Sequence, residues 1–407
     1  MLDDLRDIGR NAATGGVDRF AWSGADLALR EWFLARADGI GLETETDGNG
    51  NLWAWWASAL PGTAVVIGSH LDSVPSGGDW DGPLGVVAAL DAVERLRASG
   101  FRPSRPIAVV AFSDEEGARF GVACLGSRLL LGAVRAESAL GLRDVAGTTL
   151  AEAMTAAGHD PRRVGADPQR ASRIGEFIEL HIEQGHLPIA EGPWRGVAGL
   201  TATGRTLGVA SEIWPHGRWR LDFEGTANHA GTTPLRDRND PVLALARGVI
   251  EVRKAAEELG VLGTVGKLSV VPGAVNAIAS SASIWVDARG PDAAGVKAMI
   301  ALVEQRLGAG AVQESWTAVT AFDRELTAAV SAAVAPVAGI PPVLPSGAGH
   351  DAGVLALAGI PTAMLFVRNP TGVSHSPAEA VDESDAVLGV DALVAVLKDR
   401  ATGDRAL

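Results

Sequence analysis

Short, almost wholly apolar runs recur along the chain at residues 64–67 (AVVI), 106–112 (PIAVVAF), 176–182 (EFIELHI) and 361–367 (PTAMLFV). Runs of this length predict strands buried on both faces. Between them the apolar positions switch to helical spacing. Residues 23–38 predict an amphipathic helix with Ser23 as its N-cap, and helices are predicted over 82–96, 126–143, 148–158, 325–338 and within 347–358. A C-terminal helix is expected with Asp382 or Ser384 as its cap, a further strand at 52–56, and a polar, proline-containing loop at 160–172. Trp53, Trp55 and Trp56 in that strand read as packing residues. Alternation of buried strand and helix predicts an α/β fold, a mostly parallel sheet flanked by helices on both faces.

The pattern changes after about Gly204. Residues 218–223 alternate like a half-exposed strand, a helix follows at 241–259, then two strands joined near 271–275, the second at 282–287. A helix near 293–307 and a strand at 313–320 complete a β-α-β-β-α-β order, the signature of a two-layer α+β domain with an antiparallel sheet. The α/β pattern then resumes. The expected organisation is a catalytic domain in two parts, residues 1–204 and 323–407, with residues 205–322 inserted between them.

Composition narrows the function classes. A formal charge of -14 argues against nucleic-acid and anionic-membrane partners. The single cysteine, Cys124, excludes an intrachain disulfide and a cysteine-rich zinc cluster, and reads as a small buried residue. No apolar run reaches the ~18 residues of a membrane span, and the charged start MLDDLRDIGR lacks a signal-peptide core, so the cytoplasm is expected.

Five residues share one context, each at or just past the end of an apolar strand in a loop containing Gly or Pro: His70, Asp81, Glu116, His181 and His375. Imidazole and carboxylate donors suit Zn, Mn, Co or Ni rather than Ca. Two metals need a bridging carboxylate, and either Asp81 or Glu116 is suited to supply it. Asp72, two residues after His70, is placed to accept the ring N–H of a ligand. Glu115 and Glu116 are adjacent, and their repulsion favours one as ligand and the other as a general base. His159, His186 and His216 lack this context and read as ordinary surface or loop histidines.

The segments SHLDSVPSGGDWDGPLGVVAAL, FSDEEGARFG, ELHIEQG, TANHAGTTPL, PGAVN, SGAGHDA and GVSHSPAE occur in this order. Together they resemble the M20 metallopeptidase-like superfamily from about residue 20 to 390. HIEQG and NHAGTTP narrow the resemblance to its hydantoinase/carbamoylase branch. That branch holds N-carbamoyl-L-amino-acid hydrolases, allantoate amidohydrolases, ureidoglycolate-type amidohydrolases and one class of β-ureidopropionase.

The resemblance implies two divalent ions per subunit, Mn or Zn foremost and Co or Ni as alternatives, bridged by Asp81. His70 and His181 complete one set, Glu116 and His375 the other, and Glu115 is the base. His229 is implied to polarise the substrate carbonyl and bind the oxyanion. Asn276 and Arg289 are implied to hold the substrate carboxylate, with Gln184 and His350 in the pocket wall. A planar guanidinium fork suits a carboxylate. A second reading stands beside these: Asn276 caps a turn, and Arg289 pairs with Asp287 or Asp292. The inserted domain is implied to act as a lid over the site and to form a homodimer.

The expected reaction is hydrolysis of a ureido C–N bond in a small, carboxylate-bearing substrate, with release of ammonia and carbon dioxide. Two alternatives compete with it: an N-acyl or N-formyl amino-acid hydrolase or dipeptidase of the same superfamily, and a non-catalytic binding module on the same fold. The chain departs from the usual pattern at His186, where the branch carries Pro, in the long stretch 202–217 containing EIWPHG, and near Arg368. Substrate choice is expected to lie in the inserted domain and the Arg368 loop.

Overall fold

The four buried runs become neighbouring strands of one sheet. In chain order the elements are α1 (Gly24–Gly39), β1 (Glu43–Thr46), β2 (Leu52–Trp56), β3 (Ala64–His70), α2 (Pro83–Ala98), β4 (Ile107–Phe112), α3 (Leu125–Leu130), α4 (Ala136–Leu140), α5 (Leu150–Ala156), α6 (Pro168–Ala171), β5 (Ile174–Ile182), α7 (Leu200–Thr203) and β6 (Leu207–Ile213). There follow β7 (His216–Glu224), β8 (Asn228–His229), α8 (Pro241–Leu259), β9 (Leu262–Val271), β10 (Ala277–Ile278), β11 (Ser281–Arg289), α9 (Ala293–Leu307) and β12 (Ala311–Thr317). The chain ends through β13 (Thr320–Ala321), α10 (Arg324–Ala338), β14 (Val343–Ser346), α11 (Asp351–Leu357), β15 (Thr362–Val367) and α12 (Glu383–Arg400). The computed structural model describes residues 1–185 and 197–402. Within them, residues 1–185, 198–211 and 321–402 form the larger of two units, and 212–320 with Val197 the smaller.

In the larger unit β4, β3, β5 and β15 lie side by side and parallel. β2 and β1 extend one flank antiparallel, and β6 extends the other. The register pairs His70 with Phe112 and His181 with Phe366, so these strands finish level at one sheet edge. That edge is where parallel sheets assemble their sites.

Side-chain alternation separates the two faces. The Leu180 side chain on β5 packs toward Gly389 of α12, where an added Cβ would lie 3.2 Å from its Cδ1, and the Leu180 carbonyl leaves no room for a methyl at Gly85 of α2. Its neighbours Glu179 and His181 point the other way, where Glu179 accepts the backbone N–H of Ala352 in α11. Apolar residues of α1, α2, α10 and α12 form one core with the sheet. Each fully buried Leu or Ile there contributes about 1.5–3 kcal/mol.

The smaller unit has the strand order β12-β7-β11-β9, all antiparallel. The four strands of this sheet and its two helices follow the expected β-α-β-β-α-β order, with the two-residue strands β8 and β10 added as a separate pair. Trp219, Leu221 and Phe223 of β7 face α8 and α9 in its core, while Arg218, Arg220 and Asp222 alternate to the other face.

Several expected boundaries shift. Residues 205–211, expected in the insertion, belong to the larger unit, because β6 pairs with β15 through Val209↔Leu365. The helix expected over 126–143 is two, α3 and α4, since Gly132 takes φ +73 and turns the chain between them. The loop at 160–172 contains α6, capped by Asp167. Ser23 caps α1, accepting the N–H of Asp26. Asp382 occupies the N-cap position of α12 without a side-chain cap bond. Trp53 and Trp55 are buried and stack on each other. Among the described residues no helix is long and apolar enough to cross a membrane.

Candidate metal centre and active site

His70 closes β3, His181 lies one residue from the end of β5, and the loops after β3 and β4 carry Asp81 and Glu116. His375 comes from the loop after β15 and takes φ +56, a left-handed conformation uncommon outside glycine. Asp114 adopts φ +55 as the chain leaves β4, directly before the Glu115–Glu116 pair. Such backbone conformations concentrate at functional sites.

The five residues meet around Asp81. Its Oδ1 lies 3.1 Å from His181 Nε2 and 3.6 Å from His70 Nε2. Its Oδ2 lies 3.4 Å from His375 Nε2, which is 3.6 Å from Glu116 Oε1. Two donor triads therefore share one carboxylate, one oxygen apiece: His70–Asp81–His181 and Asp81–Glu116–His375.

The donor set fits divalent ions. Donors around a four-coordinate ion at ~2.0–2.1 Å lie about 3.3 Å apart, close to these separations. Glu116 Oε1 is also buried with no hydrogen-bond partner, a vacancy in its bonding that an ion would fill. A third grouping, Glu179–His181–His350, shares His181, but both Glu179 oxygens already accept, from Ser69 Oγ and Ala352 N.

The electrostatics follow from these contacts. Burial opposes charge on Asp81, but the three facing imidazoles prevail and hold it well below the usual carboxylate range. His375 is pushed up to about 9, chiefly by its bond to Asp81. Burial, reinforced by Asp81, lifts Glu116 to about 7. Burial raises Glu115 well above the ordinary range, with Glu116, Asp351 and Asp72 adding to it.

The acidic pair divides. Glu116 joins a donor triad and Glu115 joins neither. Glu115 Oε2 lies 3.9 Å from His70 Nε2, and its Oε1 accepts the thiol of Cys124 at 3.2 Å. Asp72 holds both members: its carboxylate oxygens accept the backbone N–H of Glu115 at 3.1 Å and of Glu116 at 3.0 Å. The Nδ1 of His70 is 3.1 Å from the backbone carbonyl of Asp72 and 3.6 Å from its carboxylate. Asp72 thus orients the histidine through its main chain and the glutamates through its side chain.

Of the expected pocket residues in this unit, Gln184 donates to Asp81 Oδ2 at 2.7 Å and to Ser374 Oγ. His350 is buried, its ring edge against His181 at 4.5 Å between centroids and its Nε2 against Ser346 Oγ. Arg368 pairs with Asp385 and Asp382 at the start of α12, which gives it a structural contact. His186 lies outside the described residues.

The structure also supplies partners not read from the sequence: Cys124 on Glu115, Glu179 of β5 on Ser69, and Ser374 and Glu379 beside Asp81. Glu379 stood in the GVSHSPAE segment and carried a readable signal. Glu179 likewise opens the ELHIEQG segment, whereas Cys124 sat in apolar surroundings outside the quoted segments.

In the smaller unit β8 and β10 pair, with His229 opposite Ala277, and the N–H of Ala230 donates to the Asn276 carbonyl. His229 and Asn276 are therefore neighbours, and both are exposed. Nδ1 of His229 accepts the N–H of Gly231 at 3.0 Å, which leaves the neutral ring's proton on Nε2 as an outward donor. Arg289 stands at the far end of β11 from Ser281, roughly 27 Å away at the rise of an extended strand. Its guanidinium bonds Asp287, the pairing read as the alternative role for this residue.

The sequence profile of peptidase family M20/M25/M40 matches residues 66–399. The chain belongs to this family. An N-carbamoyl-L-amino acid amidohydrolase of Geobacillus stearothermophilus is 36% identical, over 99% of this chain and 98% of the relative. An allantoate amidohydrolase of Escherichia coli is 31% identical, over 97% and 95%. Among solved structures, an amidase of the hydantoinase/carbamoylase family from Burkholderia vietnamiensis superposes with a TM-score of 0.86 at 30% identity, covering 99% of this chain and 96% of that one. The M20/M25/M40 profile spans every donor of the two triads, Glu115 and the inserted unit. It begins two residues before Gly68, inside the strand that delivers His70.

Proposed function

We propose that the protein is a dinuclear-metal amidohydrolase that cleaves the ureido C–N bond of an N-carbamoyl-L-amino acid or allantoate, releasing ammonia and carbon dioxide. The observation that carries this reading is the division of labour around Asp81. Its two oxygens address two donor sets, while Glu115 stays outside both, its Oε2 3.9 Å from His70 Nε2 of the first. The substrate class is supported by relatives named for N-carbamoyl-L-amino acids and for allantoate, matched over nearly the whole chain.

Ions held by His70, Asp81 and His181 and by Asp81, Glu116 and His375, Mn or Zn foremost, would supply Lewis acidity and bring the pKa of water near 7. The remaining steps belong to the chain. Glu115, its carboxyl made more basic by burial, takes the proton of the attacking water at Oε2 and later returns it to the leaving nitrogen. Asp72 fixes the backbone of the base and of its neighbouring ligand. His229 is proposed to donate from Nε2 to the carbonyl oxygen as negative charge develops there. Asn276 and Arg289 are proposed to bind the substrate carboxylate, and Gln184 and His350 to support the pocket. A non-catalytic binding module has no use for a buried base beside two complete donor sets.

A homodimer is part of this reading, in an expected cytoplasmic setting. His229 and Asn276 at one end of the small sheet, and Arg289 at the other, are too far apart to grip one small molecule, so a second copy is needed for all three to act together. β9 is an edge strand exposing Leu268, Val270 and Val271, and α8 exposes Leu243 and Ile250. Unpaired apolar edges of this kind invite pairing.

The test is a panel of N-carbamoyl amino acids, allantoate, N-formyl amino acids and dipeptides, assayed after Mn reconstitution. Ammonia release from a ureido substrate is expected. Turnover of dipeptides or N-formyl amino acids alone refutes the substrate class, and no turnover with no bound ion refutes the enzyme.

A further inference from the structure

Glu379 belongs to neither donor triad, yet it holds the bridging residue from behind. Its Oε1 accepts the backbone N–H of Asp81 at 2.9 Å and of Trp80 at 3.1 Å. Ser374 Oγ joins the two carboxylates, 3.2 Å from Glu379 Oε2 and 3.3 Å from Asp81 Oδ2. The side chain is buried, and Gly78 packs against it so closely that a Cβ there would lie 2.4 Å from Oε1. Asp81 is thereby fixed at its main chain and its side chain by the loop that carries His375.

We infer that Glu379 is a positioning residue that locks the Asp81 loop to the His375 loop and so sets the second donor triad, an inference that rests on the dinuclear reading above. The two triads depend on it unequally. His70 and His181 sit on or at the ends of buried strands, held by the sheet. His375 is half exposed, lies in a loop at φ +56, and is four residues from Glu379. Loss of the Glu379 acceptor frees Asp81 to turn about its main chain. The ion between Glu116 and His375 then loses two of its three donors' alignment, while the other keeps two strand-held imidazoles. Outer partners of metal ligands are worth about 10–100-fold in affinity.

The experiment titrates metal-free protein with Mn alone by calorimetry and follows Mn release to excess chelator. Wild type is expected to take up two ions per chain. Glu379→Ala is expected to keep the first and bind the second about 10–100-fold more weakly, with faster release and lower kcat. Glu379→Gln, whose amide oxygen can still accept both N–H groups, should restore most of the second-ion affinity. Gly78→Ala, whose Cβ would lie 2.4–2.6 Å from Glu379 Oε1, Cβ and Cδ and so displaces the carboxylate, should reproduce the Ala defect and stands in if Glu379→Ala does not fold. Failure of wild type to take up two ions overturns the dinuclear reading. Two ions in wild type with wild-type release in Gly78→Ala or Glu379→Ala, or equal defects in the Gln and Ala variants, overturns the role of Glu379 alone.

Discussion

Gly82→Ala should unseat His70, and the structure sets the size of the effect. Gly82 follows Asp81 at φ +87, and an added Cβ would lie 2.4–2.6 Å from three atoms of the His70 ring. Carbon contacts are at their minimum near 3.5–4.0 Å, so ring or backbone must move by about 1 Å or more. The ring is buried on β3, and its Nδ1 is already committed to Asp72. The backbone cost of a side chain at φ +87, ψ -61 is about 1–3 kcal/mol, and overpacking adds about 1–3 kcal/mol. Gly62 separates the two costs: it has φ +89 and open space around its Cβ. Gly62→Ala should therefore show the backbone cost alone, with both ions retained. Gly82→Ala should show the larger loss in urea midpoint, together with loss of the ion held by His70 and His181, read by metal analysis of the purified protein. Equal midpoints and full metal content in the two variants would falsify the packing argument.

Other consequences can be measured independently. Glu115→Gln should keep both ions and lose about 10²–10⁴-fold in kcat; a variant within a few fold of wild type removes Glu115 as the base. Occupancy of the second triad needs both of its titrating donors deprotonated. With His375 near 9 and Glu116 near 7, ion binding at pH 8 should release about one proton, and below pH 7 about two. Affinity should accordingly rise with pH up to about 9. Calorimetry in buffers of different ionisation enthalpy reads the proton count, and a count of zero at pH 8 contradicts it. Leu268→Arg combined with Val271→Arg places charge on the β9 edge; sedimentation should report monomers where wild type sediments as a dimer, and a monomeric wild type removes the dimer from the reading.

The residues that cluster around Asp81 were legible as candidates because strand ends are legible. Apolar runs mark strands buried on both faces, and a polar residue just past such a run has few places to go but the sheet edge. His70, His181 and Glu116 carried that mark, while Asp81 and His375 lay further along the Gly- and Pro-containing loops that follow β3 and β15. Local punctuation was harder. The helical spacing over 126–143 ran through Gly132 without a break in pattern, although the chain turns there. β6 looked like part of the insertion because the strands it pairs with, β13, β14 and β15, all lie more than 100 residues further along the chain.

What the chain order alone determined is the inventory: which residue types stand at strand ends, which run is buried, and which acidic pair must divide. What tertiary structure decided is allocation. Asp81 rather than Glu116 lies between the triads because it comes from the loop between β3 and α2 and meets both His181 and His375. Asp72 serves the glutamates' backbone because β3 and β4 are parallel neighbours with level ends. Glu379 reaches Asp81 across 298 positions, and Arg289 is drawn to Asp287, far along β11 from His229 and Asn276. Hydrogen-bond partners depend on distances of about 3 Å. Such distances are set by strand order and register, which no single segment of the sequence contains.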